Sequence, residues 1–481
     1  MKEKHRKPWR KLAALCFGVG LLVMVEVLLR LFDAAPPGRP VSDVFAFPEP
    51  VFEKQGHTLR TDSDKRKYFL DQSFPANKKA GTLRVFITGG SAAMGFPLQG
   101  VYGPDRLLTL ALDAAERGRE HEVINAGGFG YASYRLVPVV EELLDYDPDA
   151  IVLMTGNNEF LEKRFPHVTE GGLSGALYHL RLYRVFAGAA SLVRGRAGEV
   201  NWDAHRVSAK ERTLVTQEFE KNLKAMARLC RERGVPLVLV VPPSNLKDYR
   251  PYGPSRLPRA KQTRIDRLLK DKKYGRALQL IKKNRTGSPE AWLFFEEGWA
   301  KYGMEGRTTE AVKLWRRARD LDPVPVRIPS AMADTLRLTS EGENIMLADG
   351  AAAFGKAARL SAAPGDALFF DHCHPRPAGQ RVLALEVIRS MVRKGLLAPR
   401  ENWEGKVREA LAVAFENLED KALAQSFYQA AYESGVNMGR VCRGQELLKT
   451  CLALDPSHRK AALLKKRLAR DKKDYYCLTG D

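Results

Sequence analysis

Apolar and polar positions divide the chain into three kinds of segment. The first is one long apolar run, Leu12 to Phe32 (LAALCFGVGLLVMVEVLLRLF), broken only by Glu26 and Arg30. As a helix its 21 residues would extend about 31 Å, matching a bilayer core of roughly 30 Å. Glu26 and Arg30 stand four apart, so they share a helix face and can pair near its far end. The second kind is a set of five short apolar runs, each leaving into a polar or Gly-containing loop. They are Arg84 to Thr88, Glu122 to Asn125, Ala150 to Thr155, Pro236 to Val241 and Asn344 to Ala348. Continuous Val, Ile and Leu predict strands buried on both faces of a parallel sheet. Helical stretches between or after them, Pro104 to Arg117, Phe219 to Arg233 and about Ala378 to Lys394, make the expected class α/β and doubly wound. The third kind is helical with no strand between: roughly Lys261 to Pro323, and from about Pro399 to the end.

Composition adds a size and a charge. The chain has 481 residues, 44% of them apolar and 28% charged, which excludes a disordered, collagen-like or small disulfide-stapled protein. The net charge of +21 is concentrated: Met1 to Lys11 carry +5, and Lys247 to Arg285 carry +11. The first group precedes the apolar run and, by the positive-inside rule, places the N-terminus in the cytoplasm and the main body outside it. A cleaved signal peptide is the alternative, with Ala34-Ala35 near a cleavage site, but the run exceeds the usual 7 to 15 residues of its apolar core. The second group could attract anionic lipid headgroups or an acidic polymer, or form a solvated helix face. A nucleic-acid partner is not expected. Of the six cysteines, Cys16 lies in the apolar run. The other five permit a bridge among the last three, Cys442, Cys451 and Cys477, without assigning it.

The candidate chemistry lies in the loops after the strands, where ligands of such sheets bind. ITGGSAAMG follows the first strand, with Gly89 and Gly90 permitting a sharp turn that exposes Ser91. No Lys follows where a phosphate-binding loop requires one. NAGGFGYAS follows the second strand and offers the backbone N–H of Gly130. TGNNEF follows the third and offers the amides of Asn157 and Asn158, which could donate to an oxyanion. DHCHPRPAGQ precedes the last sheet-domain helix, and its Asp371 can orient His374 three residues on. His372 completes an alternative metal-ligand trio, but no other His/Asp/Cys cluster supplies a clear remaining ligand set. Cys373 is expected to be a small packing residue.

Together, these four blocks resemble the SGNH (GDSL-type) hydrolases. The resemblance covers about Thr82 to Leu246 and Val324 to Leu397 and implies a three-layer, flavodoxin-like parallel sheet. It also implies Ser91 as nucleophile, His374 as general base and Asp371 as its orienting residue. The N–H groups of Ser91 and Gly130 and the amide of Asn158 would form the oxyanion hole. No cofactor or metal is implied. The chain departs from the family where Gly-Asp-Ser is Gly89-Gly90-Ser91 and where Gly-x-Asn-Asp is Gly156-Asn157-Asn158-Glu159. Either change could alter the support of its loop.

The helical segments resemble tetratricopeptide repeats, most clearly in AWLFFEEGWAKYG followed by EAVKLWRRARDLDP; ordinary antiparallel helices are the alternative. Neither block has three units, so the two are expected to pack on each other or on the sheet domain. The expected organisation starts with a basic head (1–11), a membrane anchor (12–32) and a stalk (33–80). A hydrolase domain follows in two stretches, 81–260 and 324–398, separated by a helical insertion (261–323) and followed by a C-terminal helical region (399–481). The expected function is an esterase held in the inner membrane of a bacterium, its body in the periplasm, acting on an acylated glycan or lipid. An O-acyltransferase or deacetylase of exported polysaccharide, or an inactive scaffold binding a protein partner through its helices, are the alternatives.

Overall fold

The computed structural model describes residues 8–32, 34–35, 50–165, 177, 180–194, 205–285, 287, 289–305, 309–341, 345–358 and 363–470. Most of the basic head, most of residues 33–49 and Cys477 lie outside them. The chain forms two compact units, Met1–Glu49 with Glu162–Glu218, and Pro50–Leu161 with Phe219–Asp481.

The first unit holds the described helices Pro8–Leu31 and Arg181–Val193, which pack against each other, and the start of helix Ala209–Glu232. The segment Trp9–Leu31 is long and apolar enough to cross a membrane, with mean hydropathy 2.6 and none of it buried. Glu26 and Arg30 do pair, at 2.7 Å.

The second unit opens with a difference from expectation. Residues 50–79, anticipated as stalk, carry a three-stranded antiparallel sheet: β1 Phe52–Gln55, β2 Thr58–Thr61 and β3 Ser73–Pro75. Strands of three or four residues, one of them ending in Pro75, carry little periodic signal, so composition alone suggested a linker. The segment is tied to the domain by the Glu142 carboxylate, which accepts from the N–H groups of Val51 and Phe52 at 2.7 and 2.9 Å.

The main sheet is parallel: β4 Thr82–Gly89, β5 Glu120–Gly127, β6 Ala150–Met154, β7 Leu237–Val240 and β8 Ile345–Ala348, in the order β5-β4-β6-β7-β8. This is the flavodoxin-like order, with its switch point between β4 and β6. Val85, Phe86, Leu153 and Val238 are fully buried, as a sheet covered on both faces requires. Edge strand β5 is shielded by Gln72, whose side chain both donates to and accepts from the Asn125 backbone, at 2.5 and 3.2 Å.

The two helical blocks are present but packed differently. The insertion helices Arg259–Lys270, Tyr274–Asn284, Ala291–Glu305 and Thr309–Asp320 form apolar clusters around Ile281 and Trp292 and around Phe295 and Trp315. Gly298 lets the Trp315 indole approach, because a Cβ there would stand 2.5 Å from Nε1. The C-terminal helices Trp403–Glu416, Asp420–Tyr432, Val441–Leu454 and Arg459–Arg470 share one core with the sheet, from Val85 and Val152 through Leu385 to Leu411, Phe427 and Leu468. The tail therefore packs on the sheet domain. Cys442 is disulfide-bonded, whereas Cys16, Cys230, Cys373 and Cys451 are free.

Candidate active site

Strand β4 ends in a turn that only glycine fits. Gly89 has φ +149°, and a Cβ there would lie 2.0 Å from the Met154 carbonyl oxygen on neighbouring β6. The chain then enters the short helix Ser91–Met94. Asn125, buried at the end of β5, donates from Nδ2 to the carbonyls of Ala93 and Met94 at 3.1 and 3.2 Å, which fixes that helix from beneath.

Ser91 Oγ lies 2.8 Å from His374 Nε2, and His374 Nδ1 lies 2.6 Å from Asp371 Oδ2. An ionised carboxylate only accepts, so Nδ1 carries the proton, and in the neutral ring Nε2 accepts from the Ser91 hydroxyl. The second carboxylate oxygen of Asp371 accepts from the backbone N–H of Cys373 and of His374, both at 3.0 Å. All three side chains are buried. Phe96 packs edge-on against the His374 ring at 4.9 Å and against Phe129 at 5.5 Å, forming an apolar wall beside the imidazole.

Burial and charge oppose each other here. Burial favours protonated Asp371, but His374 and His372, with hydrogen bonds from the His374 ring and the Cys373 N–H, hold its carboxyl well below the usual range. Burial opposes the imidazolium of His374, yet the charges of Asp371 and Cys373 and their hydrogen bonds together outweigh it and raise His374 well above 6.5.

The candidate oxyanion donors come from three loops. Asn158 Nδ2 donates to the Tyr131 carbonyl at 3.0 Å, leaving its second N–H for a ligand. Its amide occupies the space that a side chain at residue 90 would need, since a Cβ on Gly90 would stand 2.4 Å from Asn158 Nδ2. Gly130 has φ +77° in the turn after β5. Glycine at position 90, where the resembled Gly-Asp-Ser pattern has Asp, thus has a steric reason in this chain. The second departure has an electrostatic one. Glu159 is fully buried and accepts from the N–H and hydroxyl of Ser133, at 2.8 and 2.9 Å, at the start of helix Ser133–Leu143. A carboxylate at a helix N-terminus is favourable. Asn157 serves a structural bond instead, accepting from the Ile328 N–H at 3.0 Å.

Several supporting residues carried no sequence signal as members of a site. Asn245, after β7, donates to the Asp371 carbonyl at 3.0 Å and to Asp366 at 2.8 Å, while its N–H donates to the His372 carbonyl at 3.0 Å. Arg443, from the C-terminal helices, donates to the carbonyls of Phe370 and Phe369 at 2.7 and 3.2 Å and pairs with Asp366. Cys373, expected as a packing residue, is buried and free. Burial raises its thiol, but the two flanking imidazoles win and pull it down to about 7.

Ligand atoms of Asp371, His372, Cys373 and His374 lie within 4.8 Å of one another, the geometry behind the metal alternative. In this bonding Asp371 and both His374 nitrogens are committed to one another and to Ser91, which suits proton transfer rather than chelation.

No protein-family model and no curated protein matches the chain. Solved structures similar to it include the lipase/acylhydrolase from Enterococcus faecalis, at 15% identity over 66% of this chain and 99% of that one, TM-score 0.31. Others are an acetyl xylan esterase (13%, 64% and 98%, TM-score 0.31) and a GDSL-like lipase from Bacteroides thetaiotaomicron (10%, 65% and 88%, TM-score 0.30). At such scores it is the bonding of Ser91, His374 and Asp371 that carries the functional reading.

Proposed function

We propose that this chain is an SGNH-type serine esterase, and that the hydrogen-bonded series Ser91–His374–Asp371 is its catalytic apparatus. That series is the observation on which the reading rests. His374 takes the Ser91 proton as Oγ attacks an ester carbonyl. The carbonyl electrons move onto oxygen, which the Ser91 and Gly130 N–H groups and the Asn158 amide would receive. Collapse expels the alcohol, protonated by His374, and leaves an acyl-Ser91 ester. Water, deprotonated by His374, then attacks that ester; the Oγ–acyl bond breaks, His374 returns the proton to Ser91 Oγ, and the carboxylic acid is released. Asp371 keeps the ring in the required tautomer and stabilises the imidazolium.

The apolar helix Pro8–Leu31 serves as a membrane anchor in this reading, with the N-terminus cytoplasmic and the body outside. The bonded Cys442 fits such an oxidising compartment. The substrate is an acyl ester of a glycan or lipid, and the tetratricopeptide-like helices receive a protein partner. Transfer to a sugar hydroxyl uses the same groups and is the second reading.

Turnover of p-nitrophenyl acetate tests the chemistry. Ser91→Ala should reduce kcat by about 10⁴-fold or more, and Asn158→Ala by about 10²–10³-fold with little change in KM. Equal activity in wild type and Ser91→Ala would contradict the proposal. Product analysis with and without an added oligosaccharide separates hydrolysis from transfer.

A further inference from the structure

Helix Arg181–Val193 (RLYRVFAGAASLV) has no role in the ester chemistry, and its bonding is unusual for a helix facing water. It carries only two charges, and both point toward the chain segment that ends the longer helix. Arg181 Nη1 donates to the carbonyls of Leu29 and Ala34 at 3.1 and 3.0 Å, and Arg184 Nε donates to that of Ala35 at 3.1 Å. Arg184 is almost fully buried. In return the Glu26 carboxylate accepts from the N–H groups of Arg181 and Leu182, at 3.1 and 2.9 Å. Each helix therefore satisfies open backbone groups at the end of the other. This gives Glu26, the one acid in the long apolar run, a defined purpose.

Gly188, four residues after Arg184 on the same face, is buried, so the packed side is narrow and small. On the longer helix Gly18, Val25 and Leu29 are partly covered; their spacing puts them on one face, as a neighbour lying alongside requires. The opposite side of the short helix is apolar and open. Phe186 is 65% exposed and Val193 88%, with exposed Ala190 between them at helical spacing. A helix in water would present charge there, and this one presents none. Thirteen residues extend about 20 Å, too short to cross roughly 30 Å of hydrocarbon and the length of an interfacial or re-entrant segment. Inward polar groups satisfied within the pair and an outward apolar stripe are what lipid imposes.

We propose that Arg181–Val193 is a second membrane-embedded segment, packed beside the anchor helix, with Phe186, Ala190 and Val193 against lipid acyl chains. The proposal rests on reading Pro8–Leu31 as the anchor. Glu26, Arg181 and Arg184 form the polar clasp that holds the two segments together.

The test uses full-length protein in vesicles of phosphatidylcholine and phosphatidylglycerol containing a phosphatidylcholine with a photoactivatable diazirine in its acyl chain. After irradiation, adducts are mapped by mass spectrometry. Adducts on the Phe186–Val193 stripe as well as within Trp9–Leu31 are expected. In the double variant Phe186→Glu/Val193→Glu, those on the short helix should be lost while those on the long helix persist. Adducts confined to the long helix, or unchanged on the short helix of the double variant, would overturn the second segment and leave the anchor standing. Adducts on neither helix would overturn both.

Discussion

The two helical blocks of the larger unit share a sequence signature and differ in what they hold together. Each has a helix closing in Leu-Asp-Pro, at Pro323 and Pro456, after small and large residues at matching spacings. Yet the insertion's clusters around Trp292 and Trp315 are separate from the sheet core, taking in only Leu246, Leu257 and Ala363 from outside its helices, whereas the C-terminal block is continuous with that core. The tail also reaches the site. Phe427 packs edge-on against Phe370 at 5.0 Å, next to Asp371, and Arg443 binds the carbonyls just before it. A shared spacing of small and large residues thus does not decide which surface two helices then cover.

The largest test of that contrast compares two core truncations. Phe427→Ala should cost about 3–5 kcal/mol and lower the single unfolding midpoint of sheet and site together. Trp315→Ala should cost a similar amount, but in an early, separate transition that leaves p-nitrophenyl acetate turnover near normal at 25 °C. One shared transition for both variants, followed by calorimetry, would break the distinction.

Next is Arg443→Ala, which leaves Asp366 without its cation and two carbonyls without a donor. A loss of about 3 kcal/mol is expected, with kcat falling more than KM because the Asp371 loop is no longer held. Arg443→Lys should restore only a fraction of kcat, since a lysine lacks the planar fork that reaches several acceptors at once. Full restoration by Lys would make charge alone sufficient.

A smaller effect separates the site from the blocks by pH. His374 must be neutral to accept the Ser91 proton, and its value is raised, so kcat/KM should climb with a midpoint above 6.5. Asp371→Asn removes the main raising charge and should move that midpoint down while lowering the plateau. Stability follows the same groups with opposite signs. The contribution of His374 is complete below about 6.5 and is lost as pH rises through its elevated value. That of Asp371 is present above its ordinary 3.8 and is lost as pH falls through its depressed value. Their sum is therefore greatest between those limits. A profile unmoved by Asp371→Asn would contradict the pairing.

The strands and site loops were legible because their signals are local. Five Val, Ile and Leu runs became the five parallel strands, with ends shifted by at most two residues. Gly89 and the Asp371-to-His374 spacing encode a turn and a bond within a few residues. What the sequence hid depends on distance along the chain. Asn125 reaches back 31 and 32 residues, Asn245 forward 126, and Arg443 back 73 and 74. No periodicity joins such positions. The short strands of 50–79 were hidden for another reason: each is only three or four residues long, and the groups that Phe52 and Phe74 meet, Phe86, Tyr146 and the Glu142 carboxylate, lie far along the chain.

The most direct test of the central claim, that Ser91 is an activated nucleophile, is covalent labelling with a fluorophosphonate probe. Wild type and Ser91→Ala would be compared at equal folded concentration. The account predicts stoichiometric labelling of wild type on the peptide containing Ser91, with labelling absent from the variant. A folded wild type that does not react, or a variant that labels equally well, would contradict it.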